Sequence, residues 1–286
     1  MKKRWSAGGL ILLLLAGSGC QTRKDEKEYS DALEAQRGQQ DPLLPDVWQP
    51  EYPLNQKKPE ELPAEAIVWG PGRDLDESGR PTACVKLQEE YGKYRAFFLA
   101  SEDNRICLTF DEGYENGYTG QILDVLREKG VSAVFFVTMD YVKREPELVR
   151  RMIREGHQVG NHTTHHPNMT QISLEKAEQE VQELHDYVKQ EFGYTMRLFR
   201  APEGAISERT MALLQQMGYA NVLWSFAYKD WDPQRQPEPA AALEKMIAAC
   251  HPGALYLLHA VSKTNAEVLG LFIDGVQKQG YEFRLL

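Results

Sequence analysis

The feature that most constrains this chain is a repeated punctuation: an amphipathic stretch, a glycine, then a short apolar run. Lys129-Gly130 precedes Ala133-Val134-Phe135-Phe136-Val137, and Glu155-Gly156 precedes His157-Gln158-Val159. Met217-Gly218 precedes Tyr219-Ala220-Asn221-Val222-Leu223-Trp224, and Gln279-Gly280 precedes Tyr281-Glu282-Phe283. Glycine just past a helix is the expected left-handed cap. Leu269, Phe272, Ile273 and Val276 follow the i, i+3, i+4, i+7 spacing of a buried helix face. Seven apolar runs read as strands: 105–110, 133–138, 157–160, 197–200, 220–224, 254–258 and 281–284. Strand and helix in alternation imply parallel pairing with right-handed crossovers. The count and spacing suit a trimmed (β/α) barrel of about seven strands better than a two-layered open sheet, and such barrels carry their chemistry where strands end.

The first strand, Ile106-Cys107-Leu108-Thr109-Phe110, runs straight into Asp111-Glu112-Gly113-Tyr114. Ionised carboxylates are costly to bury unless paired or bound to metal, so two acids at a strand mouth read as a metal site with a general base beside it. The plain alternative is a solvated turn ahead of a helix. The third strand ends in His162-Thr163-Thr164-His165-His166, three of the seven histidines within five residues. His162 and His166 are four apart, so one helical turn would face both imidazoles toward a zinc-like ion; His165 points elsewhere. The fourth ends in Arg200-Ala201-Pro202-Glu203-Gly204, an arginine able to fix a carboxylate followed by a tight loop. The fifth leads to Tyr228-Lys229-Asp230-Trp231, where aromatic faces would floor a sugar site or belong to the core. The sixth closes at His259, a satisfied core residue if alone but a general acid if it stands opposite a carboxylate–metal cluster.

The N-terminus is of another kind. Lys2, Lys3 and Arg4 precede Leu10-Ile11-Leu12-Leu13-Leu14-Leu15, and small residues then run into Cys20. This reads as an export signal, with Cys20 the lipid-modified cysteine of a lipoprotein on the outer face of the cytoplasmic membrane; the alternative is a plain signal segment, cleaved or uncleaved. Leu15 sits two positions further from that cysteine than the usual lipoprotein leucine. Residues 21–66, polar and then proline-punctuated, suit a flexible tether. Residues 67–103, with Trp69-Gly70-Pro71-Gly72 and an aromatic patch, read as an extension packing on the catalytic domain at 104–286, without evident chemistry of their own. A net charge of −9 without a basic run beyond the first residues argues against nucleic acid as a partner. Cys84, Cys107 and Cys250 show no CxxC spacing, and Cys107 reads as a small buried hydrophobe.

Taken in order, the five strand ends resemble the polysaccharide deacetylase family of carbohydrate esterases, whose NodB-type domain is a distorted βα barrel. The likeness covers about Arg105 to Leu286. Phe110-Asp111-Glu112-Gly113-Tyr114-Glu115-Asn116-Gly117-Tyr118 and His251-Pro252-Gly253-Ala254-Leu255-Tyr256-Leu257-Leu258-His259 are similar to the branch that forms muramic δ-lactam in spore cortex. The resemblance implies one divalent ion, zinc with cobalt or manganese as alternatives, held by Glu112, His162 and His166. It makes Asp111 the base, oriented by Arg200, with Asp230 a candidate partner for that arginine. His259 would protonate the leaving amine, the backbone N–H at Glu203 would steady the oxyanion, and Leu257 would border the acetyl pocket. Trp231 and Tyr114 would touch the sugar. Three positions depart from the family: Glu112 replaces the usual Asp, Glu203 replaces Tyr or Arg, and Ala227 replaces an acid. The implied activity is de-N-acetylation of cell-wall glycan, most of all N-acetylmuramic residues. The rivals are the same chemistry on N-acetylglucosamine polymers and a catalytically idle glycan-binding lipoprotein.

Overall fold

The computed structural model describes residues 53–286; the export signal, Cys20 and most of the tether lie outside the described residues. Within them nine strands form one parallel sheet: β1 (Ala96–Phe97), β2 (Arg105–Glu112), β3 (Val134–Val137), β4 (Gln158–Asn161), β5 (Leu198–Phe199), β6 (Ala220–Val222), β7 (Phe226–Ala227), β8 (Leu255–His259) and β9 (Glu282–Phe283). The order is β1-β6-β5-β4-β3-β2-β8-β7, with β9 added beside β2. The seven anticipated runs are all present, and β1 and β7 are extra. Among the described residues no helix is long and apolar enough to cross a membrane.

The sheet curls because of one short stretch. β6 and β7 lie on opposite sides of the strand order, yet only residues 223–225 separate them. That segment hands its hydrogen bonds from one edge to the other: Leu223 N donates to Phe97 O at 2.8 Å, and Ser225 N to Leu255 O at 3.0 Å. A flat sheet cannot satisfy both ends, so the strands wrap into a distorted barrel.

Strand alternation then separates two cores. Cys107, Val134, Phe136, Leu198, Val222 and Leu255 pack together inside the barrel, with Leu286 against them. Ile106, Leu108, Phe110, Phe135 and Leu258 belong to the larger core beneath the surrounding helices. On β2 the inward column therefore runs Cys107, Thr109, Asp111, and on β8 it runs Leu255, Leu257, His259; the two are in register, with Asp111 opposite His259. The glycines that punctuate the sequence behave as expected: Gly130, Gly156, Gly218 and Gly280 all have φ between +64° and +86°.

Part of the expected tether is docked. Asn55 N donates to Lys93 O at 2.8 Å, Arg209 N to Pro63 O at 3.1 Å, and Leu62 is buried. Proline-rich segments retain free carbonyls, and the helix Glu208–Gln216 uses them through the Arg209 side chain (Leu62 O, 3.1 Å) and Gln215 (Asn55 O, 3.4 Å). The extension at 67–103 contributes the helix Thr82–Tyr91 and strand β1.

One close approach links the barrel to its upper rim. Gly160 on β4 stands in register with Phe136 on β3, and a Cβ there would lie 2.4 Å from the Phe136 ring. Phe136 in turn lies beneath the Arg200 guanidinium, 4.2 Å from ring centroid to Cζ. Gly160→Ala is expected to lower unfolding free energy by about 1–3 kcal/mol through overpacking, measured by urea denaturation. An unchanged midpoint would show that the ring has room to move.

Candidate active site

The inward columns deliver their last residues to one end of the barrel. Asp111, at the end of β2, is buried and accepts a hydrogen bond from Arg200 Nη1 at 2.8 Å; its other oxygen lies 3.6 Å from His162 Nε2. Arg200 has no exposure, and each of its three side-chain nitrogens has a partner: besides Nη1, Nε donates to Val222 O at 3.1 Å and Nη2 to Leu223 O at 3.0 Å. Burial alone would raise the Asp111 pKa, but Arg200, with His162 and His259, outweighs it and holds the carboxyl below its ordinary value.

Opposite, His259 donates from Nδ1 to Asp230 Oδ1 at 2.8 Å, and its backbone N–H donates to Asp230 Oδ2 at 2.8 Å. Asn265 Nδ2 also donates to Asp230 Oδ2, at 2.6 Å. Burial opposes protonation of His259, yet the hydrogen bond and charge of Asp230, with the charge of Asp111, lift its pKa above the ordinary imidazole value. The expected pairing of Asp230 with Arg200 is therefore corrected. Arg200 is satisfied from β6 and β2, and Asp230 instead orients His259 and leaves Nε2 for the substrate side.

The histidine pair converges by a different route from the expected helix. Residues 162–166 form a turn in which Thr163 (φ 71°) and His166 (φ 57°) are left-handed. Thr163 N donates to Asn161 Oδ1 and His166 N to Thr163 Oγ1, each at 2.9 Å. The rings of His162 and His166 meet edge-on with centroids 4.9 Å apart. His165 does point away, its N–H and Nδ1 held by the buried Glu180 carboxylate at 2.8 and 2.9 Å. Sequence reasoning missed Glu180, which no spacing rule connects to the histidines. His162 Nδ1 donates to Arg200 O at 2.8 Å, which leaves Nε2 with a lone pair directed toward Asp111. Burial holds this imidazole down at about 4, so it is neutral at physiological pH.

Glu112 is not brought to this pair. β2 remains extended and in register through Glu112↔Val137, so consecutive residues point to opposite faces. Asp111 turns inward, whereas Glu112 joins the helix-facing side. There it has no exposure, neither carboxyl oxygen finds a hydrogen-bond partner, and Thr119 Oγ1 is likewise unpartnered. Burial, with the nearby carboxylates of Glu115 and Asp111, drives its pKa well above the ordinary value. Among the described residues no three His, Cys, Asp or Glu side chains stand ready as a metal cluster. The His162 imidazole fits the expected ion, having a neutral Nε2 and an Nδ1 fixed by a carbonyl in the usual outer-shell manner, and the His166 ring stands beside it, but the three-residue ligand set is not formed.

The remaining residues surround this apparatus. Leu257 is buried one inward step below His259. Trp231 is 53% exposed with its ring 6.1 Å from that of His259, the placement of a platform rather than a core residue. Glu203 is exposed at φ 58°, and Asn168 Nδ2 donates to its Oε2 at 3.3 Å. Tyr114 is exposed on the loop after β2.

The sequence pattern of the polysaccharide deacetylase family, described as polysaccharide deacetylase, matches residues 99–222. An uncharacterized 30.6 kDa protein of Geobacillus stearothermophilus is 46% identical over 77% of this chain and 83% of its own length. The peptidoglycan-N-acetylmuramic acid deacetylase PdaA of Bacillus subtilis is 41% identical over 79% of this chain and 86% of its own. The solved structure of Bacillus subtilis PdaA, a family 4 carbohydrate esterase, superposes with a TM-score of 0.74 at 40% identity, covering 78% of this chain and 96% of that one. The chain belongs to the polysaccharide deacetylase family. It is a hydrolase of N-acetyl amide groups.

The two pKa shifts have opposite signs; if Asp111 serves as the base and His259 as the acid, turnover needs the first ionised and the second protonated. The acid limb of a pH–rate profile then lies below the ordinary carboxylate range and the alkaline limb above the ordinary imidazole value. Asp230→Asn removes the charge that raises His259, so the alkaline limb should move to lower pH, with kcat reduced about 100-fold. An alkaline limb that stays in place would dissociate it from His259.

Proposed function

We propose that this protein is an exported de-N-acetylase of peptidoglycan that acts on N-acetylmuramic residues on the route to muramic δ-lactam, and is anchored to the outer face of the cytoplasmic membrane through Cys20. The carrying observation is the acid–base asymmetry across the barrel mouth. Arg200 favours the ionised form of Asp111 and Asp230 favours the protonated form of His259, on adjoining strands in register. Two titratable groups pushed apart in this way divide the roles of base and acid.

Amide hydrolysis places the oxygen of water on the acetyl carbon and a proton on the departing nitrogen. Asp111 takes the proton from water, and His259 Nε2 supplies the proton that makes the amine a leaving group. Leu257 borders the acetyl methyl, the Glu203 backbone N–H faces the oxyanion, and Trp231 carries the sugar ring. His162 and His166 would hold a divalent cation, which when bound would supply Lewis acidity and bring the pKa of water toward neutrality.

The muramic reading is supported by likeness to PdaA and by Lys229, whose Nζ lies 6.0 Å from the Trp231 ring centroid and offers a cation to a lactyl carboxylate. Glu203 favours the second reading, in which neutral N-acetylglucosamine polymers are the substrate, because an exposed carboxylate at the mouth repels a lactyl anion.

Acetate release from peptide-stripped peptidoglycan and from chitin oligomers, with mass spectrometry of the products, separates the two. The muramic reading expects deacetylated muramic residues from the first and little from the second; the reverse supports the glucosamine reading. Asp111→Asn and His166→Ala should each lose at least about 100-fold in kcat/KM, and wild-type turnover in either would sink the mechanism. Metal uptake is a separate check. EDTA should abolish turnover and zinc restore it, with zinc affinity by calorimetry falling at least about tenfold in His166→Ala. Glu112→Gln, altered on the other face of β2, should keep wild-type affinity.

A further inference from the structure

We propose that Trp69, which lies ahead of the segment matched by the family pattern, is a positioning residue that holds the active-site turn at 200–204 in its working shape. The proposal rests on the hydrolase site described above but not on its substrate.

That turn has two ties to the catalytic groups. The Arg200 guanidinium holds Asp111, and the Arg200 carbonyl receives His162 Nδ1–H at 2.8 Å. The turn then passes through two left-handed residues in succession, Glu203 at φ 58° and Gly204 at φ 66°. Glycine adopts this region freely, whereas glutamate does so only where its surroundings over-determine it.

The surroundings come from the N-terminal extension. Trp69 Nε1–H donates to Gly204 O at 2.8 Å. Its indole lies 4.7 Å from Trp224 and 5.2 Å from Phe98, centroid to centroid. A Cβ on Gly204 would stand 2.5 Å from Trp224 Cη2 and 3.2 Å from Trp69 Cζ2, so the two indoles fill the floor beneath the turn. Trp224 also lies 5.8 Å from the Arg200 guanidinium, which connects this floor to the group that holds the base. Two residues before Trp69, Ile67 N donates to Ile206 O at 2.9 Å and pins the chain just beyond the turn. The Trp69-Gly70-Pro71-Gly72 motif thus has a task that its sequence does not declare.

The test compares Trp69→Phe, which keeps an aromatic ring but removes the N–H, with Trp69→Leu, in the full chain. Steady-state acetate release, thermal midpoint and amide hydrogen exchange across 201–206 are measured on each. The expected result is a kcat at least about tenfold lower with KM within about threefold, and exchange at the turn at least about tenfold faster. Wild-type kcat and exchange in both folded variants would overturn the proposal, as would a lowered thermal midpoint with unchanged kcat at 25 °C. If Trp69→Leu does not fold, Trp69→Phe decides alone. Should the wild type release no acetate from any glycan, the hydrolase reading fails by itself, and the exchange rates still decide whether Trp69 holds the turn.

Discussion

A guanidinium wholly removed from water is costly unless its charge is answered and each of its nitrogens finds an acceptor, and Arg200 sets that condition for the upper end of this barrel. Its donors go to Val222 O, Leu223 O and Asp111, and its plane lies over Phe136. The two carbonyls belong to the place where the chain leaves β6 to cross toward β7, so the crossing that curls the sheet also supplies acceptors directed at the arginine. A buried pair of this sort adds little net stability, because desolvation consumes most of the Coulomb gain; breaking one half is what is costly. Its consequence is geometric and electrostatic. Asp111 is fixed in position, and its ionised form is favoured in a setting that would otherwise neutralise it.

The second pair is its mirror in charge. Asp230 is buried, takes two hydrogen bonds from His259 and one from Asn265, and so favours a protonated imidazole. A carboxyl whose ionised form is favoured and an imidazole whose protonated form is favoured then face each other across the same strand pair. Each has its main partner on a different element, Arg200 beyond β5 and Asp230 beyond β7, and although the Arg200 charge also opposes protonation of His259, Asp230 and Asp111 together outweigh it. That division is what the proposed hydrolysis asks of the two sides, a proton leaving water on one and reaching nitrogen on the other.

Much of this was legible because it depends on period and punctuation. The alternation of glycine-capped helices and apolar runs located all seven principal strands, and the strand ends located Asp111, His162, His166, Arg200 and His259. Where legibility failed, the cause was local geometry. Whether β2 ends before or after Glu112 decides which face that carboxylate takes, and no residue type announces it. The resemblance makes Asp230 a candidate partner for Arg200, but two backbone carbonyls, invisible in a sequence, take the arginine's Nε and Nη2 instead. The His162–His166 spacing suggested a helical turn, whereas two left-handed residues achieve the same convergence. The docked prolines at 53–66 and the hydrogen bond from Trp69 depend on contacts across more than a hundred residues, for which composition carries no signal.

Strain is concentrated in the same two loops. Of the four non-glycine residues with positive φ among the described residues, Thr163, His166 and Glu203 flank the site, and only Arg95 is elsewhere. Such conformations cost on the order of 1–3 kcal/mol each and persist only under constraint from their surroundings. For the histidine turn the constraint is the helix Leu174–Phe192, through the Glu180 carboxylate on His165 and the Glu180 carbonyl on Thr164 N at 3.0 Å. For the arginine turn it is the indole floor of Trp69 and Trp224. Neither clamp belongs to the barrel strands that present the catalytic groups. The strands therefore determine which residues reach the mouth, while peripheral elements determine the angle at which they meet.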